Sequence, residues 1–163
     1  MPSPEIKLLY ADAPALLDAA RELFREYALS LSVDLCFQNF DAEMAALPGE
    51  YAAPKGHLLL AMADGAPAGC GGFRPIANVD YANACEMKRL YVRPAFRRFG
   101  LGRLMAQRLM DEARGSGYSS MLLDTLDEME AARGLYTTLG FAEVAPYYFN
   151  PIPGAHYLKA ALS

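Results

Sequence analysis

The sequence predicts an α/β fold, and three observations carry that prediction. Strand-like and helix-like segments alternate along the chain. Asp64-Gly65 marks a tight turn between two apolar runs, as in a β-hairpin. Residues Arg97-Arg98-Phe99-Gly100-Leu101-Gly102-Arg103 place two glycines and three arginines where a strand hands over to a helix. With 163 residues the chain is long enough to bury one substantial core, so residues 1–163 are read as a single domain. No low-complexity tract, internal repeat or interdomain linker interrupts it.

The elements follow in order. Residues 5–10 make a short first strand, after which Asp12 can cap a helix whose Leu16, Leu17, Ala20, Leu23, Phe24 and Tyr27 form an apolar stripe. Leu31 to Tyr51 is less regular, with a short helix near Asp41 to Leu47 ended by Pro48-Gly49. His57 to Ala63 and Ala66 to Ile76 form the hairpin, and a polar turn at Asn78 to Asn83 leads into a strand ending at Val92. Pro94 stops that strand because proline cannot donate to a sheet ladder. Leu101, Leu104, Met105, Leu109, Met110 and Ala113 then recur at helical spacing, with Arg103, Gln107, Asp111 and Glu112 on another face. A buried strand from Ser119 to Thr125 and a helix from about Met129 to Leu139 follow, and Gly140 suits the left-handed position that ends a helix.

The glycines of the 97–103 stretch therefore sit at a helix N-terminus. There the first amides lack intrahelical partners and the helix dipole is positive, which favours a bound anion. Gly100 and Gly102 let oxygens of a ligand approach those amides where a Cβ would intrude. Taken alone, the same residues also fit a glycine-containing turn with solvated arginines. The pattern G-x-x-x-x-G-K-[ST] is absent, and Met105 stands where a dinucleotide-binding G-x-G-x-x-G needs its third glycine.

Composition narrows the function classes. Between Lys88 and Met110 lie seven basic residues and no acidic one, whereas the rest of the chain holds eight basic residues against 19 acidic, for a net charge of −4. A single basic block on an acidic chain fits a small polyanion better than nucleic acid, although a solvated helix face gives part of the same pattern. Cys36, Cys70 and Cys85 have no C-x-x-C spacing and lie in apolar surroundings, so they are read as small buried hydrophobes, without disulfide or metal. The longest apolar run, Leu58 to Ala63, is far too short for a bilayer core of roughly 30 Å, and no N-terminal signal pattern is present; the default location is cytoplasmic, with no membrane partner.

Arg97-x-x-Gly100-x-Gly102 resembles the R/Q-x-x-G-x-G/A acyl-CoA signature of the GNAT superfamily of N-acyltransferases. The strand ending Leu90-Tyr91-Val92-Arg93-Pro94 resembles that family's central strand, and Ala132-Arg133-Gly134-Leu135-Tyr136-Thr137-Thr138-Leu139-Gly140-Phe141 resembles its A-x-x-L-Y-x-x-L-G-F helix. The elements occur in the family's order and spacing over roughly residues 83–145. The resemblance implies an α+β variant of the fold, with a mixed, mostly antiparallel central sheet and helices on both faces. It also implies acetyl-CoA as co-substrate, bound by Leu90, Tyr91, Val92, Arg97, Arg98, Phe99, Gly100, Leu101, Gly102 and Arg103.

Acyl transfer from a thioester to an amine needs an unprotonated nucleophile, a donor for the developing oxyanion and a proton for the departing thiolate. The resemblance implies that Tyr136 supplies that proton, and a phenol with an ordinary pKa near 10 retains it at neutral pH. Glu86 is the candidate base, acting through a water; its alternative is a surface glutamate paired with Lys88 or Arg74. The oxyanion donor is expected to be a backbone amide near Val92. Many relatives carry asparagine seven residues before the helix tyrosine, where this chain has Met129, so Asp124 and Thr125 are candidate substitutes for its contact to the cofactor. For the acceptor, the proline-stiffened aromatic loop containing Tyr147 and Tyr148 can wall a pocket, and Arg74, Tyr51 and Asn39 are further candidates. These readings give acetylation of a small-molecule or exposed protein amine by a monomer or homodimer. A non-catalytic acyl-CoA-binding or sensing domain is the alternative, since it keeps the loop without needing Tyr136.

The loop reading makes a direct prediction. Gly100→Asp or Arg97→Glu places negative charge at the pyrophosphate position and abolishes CoA binding in calorimetry; retained affinity contradicts the placement.

Overall fold

The computed structural model describes residues 4–31, 40–126, 130–148 and 154–162, with only the backbone of residues 98, 126, 130 and 131. The described strands are β1 (Ile6–Tyr10), β2 (His57–Ala63), β3 (Ala66–Ile76), β4 (Ala84–Val92), β5 (Ser120–Leu126), β6 (Ala142–Val144) and β7 (Ala155–Ala161). The helices are α1 (Pro14–Ser30), α2 (Phe40–Ala46), α3 (Leu101–Gly115) and α4 (Glu130–Thr138). The strands form one sheet in the order β1-β2-β3-β4-β5-β7-β6. Every neighbouring pair is antiparallel except β4 with β5.

The apolar run of β2 explains the layering. Leu58 and Leu60 point to one face and Leu59 and Ala61 to the other, and both faces are covered. On the first face α1 and α2 contribute Leu23, Phe24, Phe40 and Met44. On the second, α3 contributes Leu101, Met105, Leu109 and Met110, joined by Tyr136 of α4 and by Phe141. Full burial of each large side chain contributes on the order of 1.5–3 kcal/mol, and it fixes which edge of each helix remains for chemistry. Cys70 and Cys85 are buried free thiols, while Cys36 lies outside the described residues.

Local signals set the boundaries. Helix α1 begins after Ala13 rather than on an Asp12 cap: Ala13 is extended and Pro14 takes the first helical position, where a missing N–H costs nothing. The β2–β3 turn has Asp64 at φ 49° and Gly65 at φ 83°, as a two-residue hairpin of matching twist requires. Gly140 closes α4 at φ 98°, and the Phe141 amide donates back to the Tyr136 carbonyl.

Strand β4 contains the decisive irregularity. Against β3 its register slips between the Cys70–Tyr91 and Gly72–Lys88 pairs, leaving one extra residue on β4, and Arg89 sits there at φ 62°. Four residues apart, Met87 and Tyr91 would share a face of an unbroken strand, yet Met87 packs under α3 and Tyr91 under α1. Lys88 and Arg89 are both buried. The Arg89 side chain reaches α2, where its Nε lies 3.1 Å from Glu43 Oε2 and its guanidinium lies over the Phe40 ring, 5.2 Å from the centroid. Burial opposes its charge, but the Glu43 carboxylate outweighs that and holds the pKa above the ordinary value.

Beside the bulge, β4 and β5 part. They pair from Ala84–Ser120 to Glu86–Leu122, and among the described residues no pairing continues beyond, although β4 runs on to Val92 and β5 to Leu126. The sheet therefore opens as a wedge between its two halves.

Breaking the Glu43–Arg89 pair from one side leaves a buried guanidinium without that carboxylate. Glu43→Ala should lower the unfolding free energy by about 3 kcal/mol or more, whereas Glu5→Ala, at the exposed Lys7–Glu5 pair, should change it by less than about 1 kcal/mol. Urea titrations of both variants check this contrast.

Candidate active site

The wedge lies between the start of α3 and a cleft on the α2 side. At the first, β4 runs through Arg93 into a 3-10 turn, Pro94–Phe99, and Gly100 at φ 71° starts α3. A non-glycine residue is strained at this φ, and an added Cβ on Gly100 would meet no atom within 4 Å, so the backbone is open on that side. Gly102 lies in the first turn of α3, and its nearest neighbour to an added Cβ is Leu135 of α4 at 3.6 Å. The loop thus presents amides from a 15-residue helix along a groove bounded by α4.

The basic block divides into groups with distinct partners. Arg93 pairs with Glu26 and Glu22 of α1, Arg89 with Glu43, and Arg108 with Glu112. Arg97 is exposed; its Nε donates to the Val92 carbonyl at 2.9 Å and its guanidinium lies over the Tyr91 ring. Arg103 bonds Thr138 of α4. Arg97 and Arg103 are therefore the loop arginines held by neutral groups in the recorded contacts, while the side chain of Arg98 is outside the description. Of the other loop residues, Leu101 is fully buried in the core, which leaves only its backbone for a ligand, while Phe99 is partly buried against the same core. Leu90 and Val92 also pack toward α3, and Tyr91 is buried against Tyr27 of α1, its hydroxyl donating to Glu26. The groove, its positive helix end and its arginines fit the phosphates of an acyl-CoA.

At the other end, a cleft of about 660 Å³ opens on the α2 face over the start of the wedge. Its floor is Arg74 and Ile76 of β3 with Glu86 and Lys88 of β4; its walls are α2, the Gly49–Tyr51 turn, and Tyr147 and Tyr148. Sequence reasoning placed Tyr51, Arg74, Glu86, Tyr147 and Tyr148 as site candidates, and all five meet here. Asn39 lies outside the described residues.

Glu86 is not a surface glutamate. It is 2% exposed, directly across the ladder from Arg74, whose Nε and Nη2 lie 3.4 and 3.3 Å from its Oε1. The Tyr147 hydroxyl donates to its Oε2 at 2.7 Å. Next along the same loop, Tyr148 donates to Asp124 Oδ2 at 2.5 Å. The two tyrosines thus reach across the wedge, one to β4 and one to β5. Burial raises the pKa of both phenols, and the adjacent carboxylates of Glu86 and Asp124 add to it. Both remain donors through the neutral range. The Asp124 carboxylate is thus bonded to the Tyr148 hydroxyl, and Thr125 beside it in the chain is buried.

Tyr136 approaches the wedge from α4. Its ring packs edge-on to Phe141. Burial raises its pKa, with Tyr27 of α1 and Asp124 of β5 close enough to add to the effect. Lys88 is buried in the cleft; desolvation lowers its pKa, against the pull of Glu86 and Asp124.

Sequence reading missed Glu43, Glu50 and the inward course of Lys88 and Arg89. The short α2 carried a usable signal: Phe40 and Met44 define its buried side, and Glu43 falls within that arc. The bulge had none, because a left-handed arginine has no residue signature.

Comparison with known proteins identifies the family and agrees with the fold. Residues 15–141 match the model of the acetyltransferase (GNAT) family. An uncharacterized N-acetyltransferase of Schizosaccharomyces pombe is 38% identical over 164 residues, covering 100% of this chain and 99% of its own. A second, from Dictyostelium discoideum, is 31% identical and covers 83% of this chain and 89% of its own. Among solved structures, an acetyltransferase from Salmonella typhimurium with its cofactor acetyl-CoA superposes with a TM-score of 0.76 at 23% identity, over 97% of this chain and 94% of that one. The chain therefore belongs to the acetyltransferase (GNAT) family of acyl-CoA N-acyltransferases, whose acyl donor is acetyl-CoA.

Proposed function

We propose that the protein acetylates a primary amine by direct attack within a ternary complex, with no acyl-enzyme, Glu86 taking the amine's proton and Tyr136 protonating the leaving thiolate. The observation that carries this reading is the position of the two groups. Glu86 is the last β4 residue paired to β5, where the two strands part, and Tyr136 of α4 lies close enough to Asp124 of β5 and Tyr27 of α1 to feel both electrostatically.

The chain's own residues then divide the work. The amides at the start of α3, with Arg97 and Arg103, hold the pyrophosphate of the donor. The β4 amides between Met87 and Val92, outside the ladder with β5, are available to orient the thioester and to stabilise charge on its carbonyl oxygen. An amine arrives protonated and must lose a proton before it attacks. Glu86 is anchored by Arg74 and Tyr147 and accepts that proton through a water in the cleft. Because burial raises its pKa, the Tyr136 phenol keeps its proton through the neutral range and is available as the donor to the departing thiolate, regaining that proton from solvent at the end of the cycle. Neither buried thiol supports a covalent route, since burial pushes the Cys70 thiol well up and the Cys85 thiol up to about 12, and a thiol rather than a thiolate is a poor nucleophile.

Tyr136→Phe tests the assignment. It should lower kcat by about 100-fold, the low end of what a positioned acid supplies, while CoA affinity stays within about twofold. Steady-state CoA release and calorimetry read the two quantities, and an unchanged kcat removes Tyr136 as the acid.

A further inference from the structure

The cleft's cation is arranged asymmetrically, and that asymmetry bears on the acceptor. Arg74 holds two carboxylates at once. Its Nε and Nη2 face Glu86, whose side chain is 3% exposed, and its Nη1 reaches Glu50 Oε2 at 2.9 Å, on a side chain that is 66% exposed. The inner contact is buried and further fixed by Tyr147; the outer one lies on the rim.

These two contacts are not energetically equivalent. An exposed ion pair contributes about 0–1 kcal/mol, so a carboxylate arriving in the cleft displaces Glu50 at little cost. Glu86 cannot be displaced in the same way, because it is buried and held from both sides. Although burial opposes the charge on Arg74, Glu86 and the other carboxylates nearby outweigh it and raise its pKa, so the guanidinium stays cationic at any working pH. Its planar fork offers a second carboxylate paired, directed hydrogen bonds that an ammonium lacks.

Position completes the case. Arg74 and Glu86 are directly paired across adjacent strands. In an α-amino acid the amine and carboxylate are joined through one carbon. A carboxylate on the outer edge of Arg74 therefore leaves the amine within reach of a water on Glu86. The cleft volume of about 660 Å³ suits a small molecule, and Ala46, Tyr51 and Ile76 offer apolar surface to its side chain.

From this we infer that the acceptor is an amine bearing a carboxylate, of free amino acid size, and that Arg74 is the specificity-determining residue, exchanging Glu50 for the acceptor's carboxylate. The inference rests on the reading of this cleft as the acceptor site.

The test compares matched acceptors that differ only in the carboxylate: L-phenylalanine with phenethylamine, L-leucine with isoamylamine, and L-methionine with 3-(methylthio)propylamine. CoA release from acetyl-CoA gives kcat/KM for each, and the ratio within the best pair is the readout. In the unaltered enzyme the ratio should exceed about tenfold in favour of the amino acid, as expected for one charge-assisted contact. Arg74→Gln should bring it near one, and Arg74→Lys should restore part of it. Glu50→Gln, which removes the internal competitor, should raise it about two- to fivefold. A ratio near one in the unaltered enzyme, or one that Arg74→Gln and Glu50→Gln both leave unchanged, overturns the inference while leaving acetyl transfer intact. Binding of the same pairs to the CoA-saturated protein, followed by calorimetry, reads the carboxylate preference without turnover. Selective amino acid binding with no CoA release from any acceptor would instead overturn the catalytic reading and uphold the carboxylate site. Neither binding nor release would overturn both.

Discussion

The site depends on one strained residue. Arg89 holds a left-handed backbone in the middle of β4, a conformation that costs an arginine on the order of 1–2 kcal/mol, and its buried side chain is clamped by Glu43 and by the Phe40 ring. The clamp ties α2 to the strand exactly where the strand bends. Without the extra residue, β4 would keep one phase along its length, and the segment after Met87 would turn its faces over relative to α1 and α3. The bend, the parting of β4 from β5 and the α2 wall of the cleft are therefore tied to a single local arrangement.

A sheet that opens in its middle leaves backbone groups outside the ladder, and such groups are costly unless they find partners. Two devices make the opening tolerable on the α2 side. The Tyr147 and Tyr148 hydroxyls bridge its margins by bonding Glu86 on one half and Asp124 on the other. Arg74 and Lys88 place positive charge among the same carboxylates. Burial among these groups raises the pKa of the Tyr147 and Tyr148 phenols and lowers that of Lys88.

Much of this was legible in the sequence, for reasons that differ by element. The hairpin at Asp64-Gly65, the glycine-led start of α3 and the end of α4 at Gly140 are enforced by local chemistry that few residue types satisfy, so their sequence signals are sharp. Tyr136 was singled out by its resemblance to the family's helix motif, whereas Glu86, Arg74, Tyr51, Tyr147 and Tyr148 were named for their residue types and segments, and those five line one cleft. Burial was not legible. The sequence left Glu86 open between a candidate base and a surface glutamate, and it did not show how the basic block divides, because the partners Glu26 and Glu43 of Arg93 and Arg89 lie far away in the chain. The Arg89 bulge was invisible for the same reason: its stability comes from tertiary contacts, not from the propensity of arginine. The misplaced cap at Asp12 shows the smaller version of this, where Pro14 fixed the start of α1 before a side-chain cap was needed.

The central claim is that chemistry occurs where β4 and β5 part, between Glu86 and Tyr136. A crystal structure of the protein with CoA tests it most directly. The account predicts the pyrophosphate on the amides that begin α3, the pantetheine arm between β4 and β5, and the thiol sulfur within about 4 Å of the Tyr136 hydroxyl. A sulfur placed outside the wedge, or a pyrophosphate away from Gly100 and Gly102, would contradict it.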